Sequence, residues 1–208
     1  MSSAPRIDAA AQRSELIRDA LAMASEAHAG QTRQTGSGEM PFIEHPLAVA
    51  EHLASEDFGD EVVAAGLLHD VVEHAGLELE ELRRRFGDEV ADLVGVLTES
   101  EVIGPYEERK GEHRERVAAA GREAHAVFTA DKTANVETLR EAYAVEGEDV
   151  DAELPVSLDL KIFVWELDLE MLFHSAPELP LVDRFADEMA KLWGQRAAWA
   201  RSGADGGG

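Results

Sequence analysis

The tetrapeptide Leu67-Leu68-His69-Asp70 sets two polar side chains inside an apolar helical run that includes Val62, Val63, Val71 and Val72. Burying such a pair is costly unless something pairs with both groups. That demand restricts the fold, because other elements must bring polar partners to this one point. A divalent metal is a partner that would also bring a chemistry. Glu73 follows four residues after His69 and three after Asp70, so all three side chains can face one point from a single helix.

The rest of the chain reads as helices joined by short loops, with no convincing alternating strand and no internal repeat. Ile17, Leu21, Ala24 and His28 form the stripe of an amphipathic helix that ends at Gly30. Residues 30–41 are rich in turn formers and predict a loop. A helix can begin at Pro46, and another, capped by Asp60, runs to about His74. Leu79, Leu82 and Phe86 mark the next, closed by Gly87. Val90, Leu93, Val94 and Leu97 mark one more. Residues 99–122 are charged and predict a loop followed by a helix over Glu107–Ala120. A helix over Arg122–Tyr143 carries Asp131 and Asn135, and residues 144–156 predict an acidic surface loop. Two helices near 157–175 and 181–201 follow, with 202–208 as a disordered tail. The fold class is all-α, a single domain over 1–201 whose motif-bearing part spans 12–143 and whose C-terminal helices span 157–201. Its 208 residues suffice for one domain with a sizeable core.

Composition narrows the chemistry. There are no cysteines, which removes disulfides, thiolate zinc sites and cysteine nucleophiles together. Any metal must be held by His, Asp or Glu, a donor set suited to Mn, Fe, Zn or Mg. The best candidates to join His69 and Asp70 are His45, between Pro41-Phe42-Ile43-Glu44 and Pro46, and Asp131, which follows the apolar Ala126-Val127-Phe128. Two His and two Asp leave room for water or substrate. A metal there could bring the pKa of a water to about 7 and orient a phosphoryl oxygen, with Glu73 as general base or as the group that orients that water. On spacing alone, a structural or helix-capping role for the His-Asp pair outweighs a metal-binding one, and His45 by itself says less still. His28, His52, His113, His125 and His174 read as packing or surface residues.

The net charge of −24 repels nucleic-acid backbones and anionic membranes. No nucleic-acid or membrane partner is therefore expected, and a phosphorylated substrate would need local attraction from a metal and a few Arg or Lys. The excess of acid itself reads most simply as a solubility or salt-adaptation trait. The N-terminal Met1-Ser2-Ser3-Ala4-Pro5-Arg6 lacks a signal-peptide core and no apolar run approaches a membrane span, so a cytoplasmic location is expected.

Taken in order, these segments resemble the HD-type metal-dependent phosphohydrolases, and within them the RelA/SpoT-type alarmone hydrolase domain and its small stand-alone relatives. The resemblance runs from about Leu16 to Leu139, with a weaker echo in the two C-terminal helices. It includes Ala27-His28-Ala29-Gly30-Gln31, Arg33, and Pro41 through Pro46. Ala65 through Glu73, Phe86-Gly87-Asp88-Glu89-Val90 and Glu108-Arg109-Lys110 also match, as does Ala130-Asp131-Lys132 with Asn135 and Thr138. Together they turn the reading of His45, His69, Asp70 and Asp131 from structural to metal-ligating. The resemblance implies an all-α HD-domain bundle of roughly eight to ten helices, with one metal, Mn²⁺ in the first instance and Fe, Zn, Co or Mg otherwise, on His45, His69, Asp70 and Asp131.

It implies catalytic roles for Glu73 and its neighbour His74, and substrate contacts from Arg33, Lys132, Asn135 and Thr138. The implied substrate is a small phosphorylated nucleotide, the ppGpp-type alarmone of the stringent response, which loses its 3′-pyrophosphate. No synthetase domain follows, so a stand-alone hydrolase is expected, as monomer or homodimer. Departures from the pattern are His74, where relatives carry a second acid, Gln34 and Phe128, where they carry basic residues, and Thr133 and Ala134 before Asn135. These leave two other readings: an HD phosphohydrolase redirected to another nucleotide or phosphate ester, or a degenerate non-catalytic binding protein.

Overall fold

The computed structural model describes residues 4–36, 38–100 and 104–205. It begins with a helix absent from the sequence reading, Pro5–Arg13 (α1), which starts on a proline whose missing N–H is no loss in a first turn. Ser14 ends it and caps the next, Glu15–Ala27 (α2), by accepting from the Ile17 N–H at 3.3 Å.

Where a loop is expected, Thr32–Thr35 (β1) and Gly38–Pro41 (β2) pair antiparallel, with Thr32 opposite Pro41 and Thr35 opposite Gly38. Strands of four residues, rich in Thr, Gln and Gly, carry too little alternation to be legible. Their turn passes through Gly36 at φ +68°, a conformation that L side chains avoid, and a Cβ there would also run into the Glu146 carboxylate.

Glu44–Ser55 (α3) starts one residue before His45 rather than at Pro46. The single helix expected from Asp60 to about His74 is two: Asp60–Leu68 (α4) and Val71–Ala75 (α5), the latter closed by Gly76 at φ +68°. His69 and Asp70 occupy the break. In an unbroken helix the Gly66 carbonyl would serve the N–H four residues on. Here it lies 2.8 Å from Nδ1 of His69. Gly59, not Asp60, is the cap of α4, and Asp70 stands at the N-cap of α5 without making a cap hydrogen bond.

Leu79–Phe86 (α6), Asp88–Leu97 (α7), Tyr106–Ala118 (α8) and Arg122–Glu146 (α9) follow. The expected acidic loop is in part the last turn of α9 and a 3₁₀ turn, Gly147–Glu153, that buries Val150. Leu158–Ser175 (α10) and Pro180–Asp205 (α11) complete the chain, and α11 continues through Ser202–Asp205, which the sequence assigns to a disordered tail. Gly206–Gly208 lie outside the described residues. The all-α reading holds, with the hairpin as its one exception among the described residues.

Every residue of α4 from Val62 to Leu68 is buried, so this helix is apolar all round and runs through the middle of the bundle, packed on α2, α3, α7 and α9. Gly66 permits the close approach of α3: a Cβ there would meet Leu53 Cδ1 at 2.6 Å and Val49 Cγ1 at 3.5 Å. That contact sets the start of α3, with His45, beside the end of α4, with His69. The long α9 packs along α3, α4 and α11. Arg114 on α8 fastens α10 through Nε to Asp168 Oδ1 at 2.7 Å and through Nη2 to the Val164 carbonyl at 3.3 Å. Among the described residues no helix is long and apolar enough to cross a membrane.

Candidate metal centre

Two further elements deliver the polar groups that His69 and Asp70 require. His45 comes from the first turn of α3, the pair itself from the α4–α5 break, and Asp131 from the middle of α9. Nε2 of His45 is 3.0 Å from Asp131 Oδ1 and 3.8 Å from Asp70 Oδ2. Nε2 of His69 is 3.3 Å from Asp70 Oδ1 and 3.8 Å from Asp131 Oδ1. Ligand atoms of His45, His69 and Asp131 all lie within 4.8 Å of one another.

The donor set itself asks for a cation. Nδ1 of His69 donates to the Gly66 carbonyl, so in the neutral ring the lone pair is on Nε2. That nitrogen is buried without a hydrogen-bond partner among the described residues. A lone pair set against two carboxylate oxygens is repulsive unless a positive charge lies between them. Burial, and after it the Arg33 guanidinium, pushes His45 down to about 4, so its imidazole is neutral and ligand-ready near pH 7. Burial works to raise Asp131, yet the Lys132 ammonium at 2.8 Å, together with His45 and His69 beside it, outweighs this and holds the carboxyl well below its ordinary range. Asn135 Nδ2 donates to Asp131 Oδ1 at 2.6 Å and orients that carboxylate. The residues present therefore fit a divalent metal on nitrogen and oxygen donors.

Glu73 lines the same pocket. Burial raises its pKa first and the Glu99 carboxylate second, while the Glu99 backbone N–H donates to its Oε2 at 3.4 Å. Glu99 is itself ionised: burial opposes this, and His113, Lys110 and Lys132 overcome it. His74 stands beside Glu73, Nε2 to Oε1 3.7 Å, and is 42% exposed. Its ring tilts against Phe42 at 5.1 Å, and Phe42 stacks on His28 at 4.4 Å, so the pocket has an aromatic wall. Arg33 lies over that ring and donates through Nη2 to Asn135 Oδ1 at 2.8 Å, which ties the hairpin to α9.

Of the residues singled out by sequence, His45, His69, Asp70, Asp131, Glu73, His74, Arg33, Lys132 and Asn135 line one pocket. Thr138 does not. It sits a turn beyond Ala134 on α9 and spends its hydroxyl on the Ala134 carbonyl at 2.9 Å. Sequence reasoning missed Glu99, Phe42 and Lys161 as pocket residues and read His113 as packing, whereas it also lines the pocket. His113 carried no signal beyond its type, whereas Phe42 lay in the matching segment around His45 and was not singled out there. Lys161 and Glu99 reach the site from segments far from any motif.

Comparison with known proteins adds four facts. The pattern of the family described as HD domain matches residues 20–155. A guanosine-3′,5′-bis(diphosphate) 3′-pyrophosphohydrolase of Aquifex aeolicus is 32% identical over 165 residues, 77% of this chain and 23% of that protein. A GTP pyrophosphokinase of Streptomyces coelicolor is 32% identical over 203 residues, 93% of this chain and 23% of that protein. A crystal structure of a Listeria monocytogenes EGD-e protein matches with TM-score 0.65 and 36% identity, covering 70% of this chain and 96% of the other. The chain spans less than a quarter of the two curated relatives, whose names describe opposite activities.

Proposed function

The chain belongs to the HD-domain family, and on that premise we propose that it is a metal-dependent phosphohydrolase of phosphorylated nucleotides, acting as a guanosine 3′,5′-bis(diphosphate) 3′-pyrophosphohydrolase. The observation that carries this reading is the junction, in one pocket, of the His45–His69–Asp131 donors with Glu73, a carboxylate whose pKa is raised.

Mn²⁺ is the metal of choice, held by His45, His69, Asp70 and Asp131. When bound it supplies Lewis acidity that eases deprotonation of a water and orients a phosphoryl oxygen. Glu73 takes the proton from the attacking water, a role for which its raised pKa suits it near neutral pH. Arg33, Lys132 and Asn135 face the substrate's phosphates and ribose, and Phe42 with His74 offers a ring surface to the base. Water adds to the phosphorus bonded to the ribose 3′-oxygen, the bond between that phosphorus and the 3′-oxygen breaks, and the departing oxygen takes up the proton that Glu73 removed from the water. Substrate then departs as GDP and pyrophosphate.

A second reading, the same chemistry on another phosphorylated nucleotide, is favoured by Gln34 and Phe128. The Gln34 amide turns to Glu39 on the hairpin at 3.2 Å, and Phe128 is fully buried. Purified protein with Mn²⁺, assayed for phosphate and pyrophosphate separately across a nucleotide panel, decides between them. Release of pyrophosphate from ppGpp is expected; turnover of other nucleotides with ppGpp untouched would replace the first reading by the second.

A further inference from the structure

Four cations line the pocket, and three have oxygen partners. Lys132 lies 2.8 Å from Asp131, Lys110 bonds Glu99, and Arg33 donates to Asn135. Lys161, reaching in from α10, has no ion-pair or hydrogen-bond partner among the described residues. Its ammonium rests over the buried Trp165 ring, 5.5 Å from the centroid, which fixes where the side chain emerges. The seat of α10 is in turn fixed by the Arg114–Asp168 pair.

A lysine in this position is electrostatically unfavourable by itself. Burial, then Arg33, Lys110 and Lys132, push it down to about 8. The carboxylates nearby are committed elsewhere: Asp131 to Lys132 and His45, Glu99 to Lys110 and Arg109. An anion entering the pocket would relieve the crowding and gain a charge-assisted hydrogen bond. Lys132 and Lys110 offset the pocket's own carboxylates, which leaves Lys161 as the charge such an anion would meet.

We propose that Lys161 is a specificity-determining residue that binds a phosphate group of the substrate other than the one attacked, so that substrates with adjacent phosphates are held in preference to monoesters. The proposal deepens the phosphohydrolase reading and rests on it for the identity of the anion as substrate. Lys161 lies beyond residues 20–155, so the family match does not supply it.

The test uses the full chain and two probes, inorganic pyrophosphate and orthophosphate, titrated calorimetrically without added divalent metal. Lys161→Met keeps the aliphatic stem over Trp165 and removes the charge. Lys161→Arg keeps the charge. Arg18→Gln, at an exposed position of α2, removes one positive charge elsewhere as a control. Wild type, Lys161→Arg and Arg18→Gln should prefer pyrophosphate over orthophosphate, and Lys161→Met should bind pyrophosphate about tenfold more weakly and lose the preference. Equal pyrophosphate affinity in Lys161→Met and wild type, or no pyrophosphate binding by wild type, overturns the proposal. Turnover with Mn²⁺ is read separately. Hydrolysis of ppGpp with KM unchanged in Lys161→Met removes Lys161 and leaves the phosphohydrolase reading intact. Loss of pyrophosphate binding in a protein that hydrolyses nothing leaves the anion site and removes that reading.

Discussion

His69 illustrates how much a single residue's surroundings decide. Its Nδ1 is spent on the Gly66 carbonyl, so Nε2 is the nitrogen it turns to the pocket. His69→Ala should abolish stoichiometric Mn²⁺ binding, measured by metal analysis after dialysis. Glu73→Gln should retain the metal and lower kcat at least about 100-fold, the lower range for a general base; unchanged turnover would remove Glu73 from the mechanism. His45 carries a pH prediction for the metal-free protein. Its folded value is about 4 against an ordinary 6.5, so between those values the unfolded chain takes up a proton that the folded one refuses. Stability is then full above pH 6.5, falls as pH drops towards 4, and the loss is of order 1–3 kcal/mol. A flat melting temperature across that window would contradict it. That His45, His69, Asp70 and Asp131 converge was legible from their place in the family pattern, since spacing beside apolar runs alone favoured a structural role. Thr138 was read into the site by resemblance, although its hydroxyl is satisfied by its own helix.

Helices and their order were legible from apolar spacing and from glycines and prolines, as α7 and α8 illustrate, with boundaries within a residue or two of expectation. What escaped was decided by contacts across the chain. The β1–β2 pairing depends on residues that form strands only when laid against each other, and the division of α4 from α5 depends on a side chain bonding a backbone carbonyl. The α3–α4 approach yields a test at this scale. Gly66→Ala gains helix propensity of up to about 1 kcal/mol, yet its methyl would press on Leu53 at a fully buried site. Overpacking of this kind costs about 1–3 kcal/mol. A net fall in melting temperature of a few degrees is expected, together with weaker Mn²⁺ binding, because the same contact sets His45 beside His69. A Gly66→Ala protein as stable as wild type and with unchanged metal affinity would show that α3 and α4 yield freely.

At the scale of the whole molecule two fields oppose each other. The net charge of −24 repels an anionic nucleotide over long distances, whereas the four pocket cations act only near the mouth. The Debye length shrinks from about 30 Å at 0.01 M salt to about 10 Å at 0.1 M, so added salt screens the outer repulsion before it reaches the inner attraction. kcat/KM for ppGpp should therefore rise over that range, the reverse of a phosphate-binding protein with a basic surface; a monotonic fall would show that the pocket dominates at every distance. The sequence revealed the charge but not that its few cations converge. The division at His69 and Asp70 has a last consequence, for descent rather than for chemistry. Val62–Leu68 is locked on all sides by neighbours, whereas α5 is five residues long and buries only Val71. His74, the exposed residue of α5, is thus nearly free of the stability constraint that freezes α4. Exchange at His74 can reshape the pocket wall while the candidate ligands His45, His69 and Asp131 stay where they are.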